Sequence, residues 1–199
     1  MTRENSKERG KAVWGGRIRR ALAPVAAAVL ISGCGDYATN GSGSSYLVLN
    51  TLTGGAGGGS LQSDVISDEG GILQDNGEAS LTLQMKDLGG PGPSPVNAIT
   101  ITQYHVEYIR SDGRNVQGVD VPFAFDGGVT VTVSGASTVT FTLVRAAAKH
   151  EAPLKALVGH GGAQHISTIA RVTFYGHDQT GRGVSVTGNI GVDFADWAG

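Results

Sequence analysis

Val184-Ser185-Val186-Thr187-Gly188-Asn189-Ile190-Gly191-Val192-Asp193-Phe194 alternates apolar and polar residues, with Val184, Val186, Ile190, Val192 and Phe194 in one set and Ser185, Thr187, Asn189 and Asp193 in the other. Successive side chains of a strand point to opposite faces, so this period of two places one set in a core and the other in water. Four other segments repeat the pattern: Leu81 to Met85, Val129 to Val133, Val139 to Leu143, and Ala170 to Tyr175. Thr fills many of their wet positions and is itself a strand former, so propensity and pattern agree. Further strands are expected over Tyr46 to Leu52, Leu61 to Ser67, Ala98 to Arg110 and Val116 to Phe125. In the run from Ala98 the apolar phase slips between Ile99/Ile101 and Tyr104/Val106/Tyr108, which a β-bulge near Gln103 absorbs.

The breaks between these runs carry turn chemistry. Asp112-Gly113 is a residue pair suited to a type I′ hairpin, and Ser134-Gly135-Ala136-Ser137 offers a tight turn between the two Val/Thr strands. Gly54 to Ser60 is a soft stretch that separates two apolar runs, and Gly89 to Pro95 forbids both helix and central strand. A single short helix is expected near 153–158, with Pro153 at its first position, Leu154, Leu157 and Val158 on one face and Gly159 at its end. The expected fold is therefore all-β: a two-sheet antiparallel sandwich with one short helix, or alternatively a small β-barrel.

Val172 to Gly181 with Val184-Ser185-Val186 resembles the closing hairpin of bacterial immunoglobulin-like and fibronectin type III-like domains, Arg182 standing where Asn is usual. The resemblance implies a binding or spacer module. There is no cysteine pair and no Trp in the middle strands, so the antibody-type core signature is missing.

The first 33 residues differ from the rest. Arg3, Lys7, Arg9, Lys11, Arg17, Arg19 and Arg20 precede the uncharged run Ala21 to Ile31, which is too short to span a bilayer, a crossing that takes about 20 residues. Arg19-Arg20 stand directly before that run, as in twin-arginine signals. Ile31-Ser32-Gly33-Cys34 then resembles the lipobox of bacterial lipoproteins, which implies cleavage before Cys34 and a covalent lipid on its thiol. With Gly35-Asp36 following, the resemblance further implies an outer-membrane, lipid-anchored protein facing the periplasm or the exterior. The expected organisation is a signal peptide over 1–33, a Gly/Ser tether over 34–45 and one domain over 46–199.

Removing the leader changes the charge. It holds 7 of the 15 basic and 2 of the 17 acidic side chains, which leaves 8 and 15 and a net charge of −7. Eight scattered cations on an acidic domain argue against nucleic acid or anionic lipid as a partner. With its one cysteine lipidated the domain has no disulfide, and packing must stabilise it.

Candidate chemistry is sparse. His160 and His165 on a Gly-rich loop offer two imidazoles for a metal, without a third ligand at a zinc-like spacing. Asp64, Asp68 and Glu69, followed by Asp75 and Glu78, offer oxygens to calcium but depart from the Asp-x-Asp-x-Asp-Gly loop, and solvated turns account for them better. Lys149, His150 and Glu151 read as surface charge. No Gly-x-Ser-x-Gly element, Cys/His dyad or phosphate loop occurs, so no catalytic residue and no cofactor beyond the lipid on Cys34 is assigned. The expected role is non-enzymatic: an envelope module that binds a protein or glycan. The alternative is a small-ligand or metal carrier built on His160, His165, Tyr104, Tyr108 and Tyr175.

Overall fold

A computed structural model describes residues 43–55, 58–67 and 69–197, all within one unit. The leader, Cys34, most of the tether and Asp68 lie outside the described residues. Strands take up 55% of the described residues and helical turns 7%, so the unit is all-β.

Eight strands are described: β1 (Ser45–Gly54), β2 (Ser60–Asp64), β3 (Asp75–Met85), β4 (Ile99–Ile109), β5 (Phe125–Val133), β6 (Ala136–Val144), β7 (Ile166–Asp178) and β8 (Gly183–Ala195). They form a three-stranded sheet in the order β1-β3-β6 and a five-stranded sheet, β2-β8-β7-β4-β5, that curls into a half-barrel. Alternation along the strands sends one face of each sheet into a shared core. Phe141 of β6 meets Phe174 of β7 edge-to-face at 5.2 Å and Tyr104 of β4 at 5.3 Å, so aromatic rings join the two sheets. Leu81, Leu83, Ile101 and Phe194 are fully buried around them.

The strand alternating over 184–194 is β8, and its hairpin partner β7 pairs with it from Ile166↔Phe194 to His177↔Gly183. The phase slip near Gln103 is a β-bulge: the register of β4 shifts between Ile101 and Gln103 against both β5 and β7. Gly176 is required opposite it. A Cβ there would lie 2.2 Å from the carbonyl oxygen of Thr100, so only glycine admits the displaced backbone.

Four local expectations are corrected. Of the strand expected over Val116 to Phe125, only Phe125 is in one, as the start of β5; Val116 to Ala124 is a turn-rich connection, because Asp120 Oδ2 accepts the Val116 N–H and Val116 O accepts the N–H groups of Val119, Asp120 and Val121. Gly113 does adopt a positive φ of 81°, but its turn opens that connection and makes no two-residue hairpin. Ser134-Gly135 joins no hairpin either, since β5 and β6 belong to different sheets. The antiparallel rule fails at one place: β2 runs parallel to β8, from Ser60↔Gly191 to Asp64↔Ala195.

The helical segment also moves. The α-helical turn, α1, is Ala146–Lys149, and residues near 153–158 form a 3-10 turn at Leu154–Leu157 with Pro153 as its N-cap. Leu154 and Leu157 are buried as the pattern required, whereas Val158 is 41% exposed. Gly159 takes φ 82°, and its N–H donates to the buried carboxylate of Asp196 at 2.6 Å.

Candidate functional site

The inward positions of β4, β5, β7 and β8 are taken by the core, so their alternate residues make one outer face. Register sets its rows. Gln103 lies beside Tyr175, which lies beside Ser185; His105 lies beside Thr173 and Thr187; Glu107 lies beside Arg171 and Asn189. On the other side of β4, Asp126 flanks His105 and Gly128 flanks Gln103. Arg171 Nη1 bonds Glu107 Oε1 at 2.9 Å, His105 Nδ1 bonds Asp126 Oδ1 at 2.8 Å, and the hydroxyls of Thr173 and Thr187 pair at 3.0 Å. Ile169 and Tyr175 remain 45% and 42% exposed on this face, apolar bodies among groups already held in place. Tyr and Arg are residue types enriched where proteins meet partners, and strand backbone fixes their spacing.

A second polar cluster lies inside. The ammonium of Lys149, at the end of α1, sits 2.9 Å from Asp75 Oδ2 at the start of β3, and the same oxygen accepts the Ser63 hydroxyl of β2 at 2.6 Å. Lys149 is 2% exposed and Ser63 is fully buried, so the knot ties β2, β3 and α1 together and shields the amine from solutes. Lys149 is therefore not surface charge, and the sequence reading is corrected there. Nearby, the Tyr108 hydroxyl donates to Leu143 O at 2.7 Å. Burial pushes the Tyr108 phenol well above its ordinary range, against the opposing pull of Arg145. Arg145 lies 4.7 Å over the Phe125 ring, a cation–π contact, while its buried Nε lacks a hydrogen-bond partner.

The residues expected to carry ligands are dispersed. His160 and His165 are both exposed on the loop between the 3-10 turn and β7. Asp64 Oδ1 accepts the N–H groups of Ile66 and Trp197, so it pins the chain after β8 to β2. Glu69 and Glu78 are exposed, and Asp75 is engaged by Lys149 and Ser63. Among the described residues no group of three or more His, Cys, Asp or Glu side chains could hold a metal ion. Tyr104 and Tyr108 are core residues: the Tyr104 hydroxyl accepts the Thr142 N–H at 3.2 Å, and the ring covers Gly127. Only Tyr175 of the three tyrosines stands on an open face. His105 and Arg171 were not singled out, although their place at polar positions of alternating strands already put them on the wet side.

No protein-family model matches the chain. No curated protein matches it either. Among solved structures, the chain is similar to the X-ray structure of Northeast Structural Genomics Consortium target SoR45 at 13% identity and a TM-score of 0.32, with 76% of this chain and 86% of that chain covered. A likeness of that degree carries no argument about fold or function.

Proposed function

We propose that the chain is a lipid-anchored envelope module, a non-enzymatic immunoglobulin-like sandwich that binds a protein or glycan through the outer face of its five-stranded sheet. The observation that carries the reading is that face: Tyr175, Arg171, His105, Gln103 and Ile169 sit on adjacent rows of a rigid sheet, part polar and part apolar. The strand order supports the immunoglobulin-like assignment. β8-β7-β4-β5 follows the G-F-C-C′ order, β1-β3-β6 follows A-B-E, and β2 adds to the edge beyond β8.

The anchoring half rests on Ile31 to Cys34 and is tested apart from the binding half. Cys34→Ala should move the protein from the membrane to the soluble fraction on sedimentation of cell envelopes; equal membrane association in both forms would refute it. For the face, Tyr175→Ala and Arg171→Ala should each weaken capture of a partner from envelope extract at least tenfold. Thr140→Ala, on the outer face of the other sheet, should leave capture unchanged. Uniform capture by all three variants would remove the face from consideration.

A further inference from the structure

Near the start of the described chain, Ser44 is held by two residues that each have an exposed apolar residue close by in sequence. Ser44 O accepts the Lys86 N–H at 3.0 Å, and Ser44 Oγ accepts a bond from Asn97 Nδ2 at 3.0 Å. Leu88 is two residues beyond Lys86, Val96 directly precedes Asn97, and Tyr46 is two residues into β1. Leu88 is 94% exposed, Val96 80% and Tyr46 45%, so all three are left to solvent within two residues of Ser44 or of a residue bonded to it. Scattered apolar side chains on a surface need no explanation; three on the segments that hold the start of the described chain invite one.

The length of the connection identifies what lies there. Only the eight residues 35–42 separate Cys34 from Gly43. At about 3.3–3.6 Å per residue the nine steps from Cys34 to Gly43 reach at most about 32 Å, so a lipid on Cys34 would keep this end of the domain beside the bilayer. A short tether also raises the effective concentration of the surface to about millimolar, which makes even a weak apolar contact persist. The 178–182 turn belongs to the same end, because a Cβ on Gly43 would lie 3.8 Å from Asp178 Oδ2. β8 then leads away over 13 residues, about 40 Å, toward Trp197.

We infer that Leu88 and Val96, with Tyr46 beside them, form a second membrane contact that dips into the headgroup region of the bilayer holding the Cys34 lipid. This rests on the lipoprotein reading. The contact would seat the domain on its 86–97 loop and present the 110–124 and 158–165 connections outward. Tyr46 is a residue type that suits an interface, with an apolar ring and a polar hydroxyl.

The test uses the full chain, processed and lipidated in cells, purified and reconstituted in vesicles of phosphatidylethanolamine and phosphatidylglycerol. Cys34 is the only native cysteine and is blocked as a thioether once lipidated, so Leu88→Cys labels at one place with an environment-sensitive fluorophore. Gln164→Cys, exposed on the far connection, is the control. The expected result is blue-shifted emission at position 88, quenched at least twofold by lipids brominated near the headgroup, with neither change at 164. Aqueous emission at 88, while mass spectrometry finds the diacylglyceryl group on Cys34, overturns the inference and leaves the anchor standing. A blue shift that appears only as protein density rises, without lipid quenching, assigns the patch to a second copy and likewise overturns it. Absence of lipid from Cys34 removes the anchor reading and this inference together.

Discussion

Lys149 and Asp75 are unequal partners. The lysine is 2% exposed, whereas the Asp75 side chain is 22% exposed and also accepts the Ser63 hydroxyl. Removing the carboxylate strands a buried ammonium, while removing the lysine leaves a carboxylate with one bond and a path to water. Asp75→Ala should therefore destabilise the domain by about 3–5 kcal/mol in urea melts. Lys149→Met should lose only about 1–2 kcal/mol, the range for one unmet partner. Equal losses would mean that the pair is hydrated in solution. Two other side chains set opposite pH limits. Tyr108 holds its proton above the ordinary phenol value of 10.0 because burial disfavours the phenolate, so the unfolded chain loses that proton first. Stability is then unaffected below pH 10 and falls above it; Tyr108→Phe should flatten the alkaline limb and lose about 1 kcal/mol at neutral pH. Asp178 is shifted the other way, below 3.8, chiefly by the Thr180 hydroxyl and also by the Arg182 and Thr180 N–H groups. Its contribution is present above pH 3.8 and is lost as acid drives the pH through the lowered value. Asp178→Ala should reduce the acid dependence of the β7–β8 turn, read by amide exchange at Thr180 and Arg182.

At the scale of the strands, adjacent glycines of β5 behave differently. A Cβ on Gly127 would fall 2.1 Å from the Tyr104 ring, while one on Gly128 would meet nothing within 4 Å. Gly127→Ala should destabilise by about 1–3 kcal/mol because the Tyr104 ring must move. Gly128→Ala should stay within about 0.5 kcal/mol, and thermal melts of the two variants decide the matter. The existence of the strands was legible because alternation is local: each run of Val, Ile or Phe against Thr states which side is dry. Even the bulge at Gln103 was readable, since it is a slip within one strand. Pairing was not legible. Val129 to Val133 and Val139 to Leu143 look like hairpin partners in sequence, yet nothing local says that Ser134-Gly135 carries the chain from one sheet to the other. The interior knot was hidden for the same reason. Lys149 has His150 and Glu151 as sequence neighbours and Asp75 and Ser63 as spatial ones, and only the packing of α1 on β2 and β3 brings them together.

Across the whole molecule the two sheets share one core, with Phe141, Phe174 and Tyr104 in mutual contact. Neither sheet can hold its inner face dry alone. Phe141→Ala should destabilise the domain by about 3–5 kcal/mol. Hydrogen exchange should show β3 and β7 losing protection together; persistence of β7 after β3 has opened would show that the sheets are separate units. The parallel pairing of β2 with β8 has a mechanical consequence. A load applied between the start of the domain and its end near Trp197 would, once it reaches these strands, pull β2 toward its start and β8 toward its end. Because the two strands run in the same direction, these pulls slide them past one another along their length. Every bond from Ser60↔Gly191 to Asp64↔Ala195 bears the load at once, where an antiparallel edge pulled from its open end would unzip bond by bond. Under such a load the short β2 would act as a latch, resisting in shear.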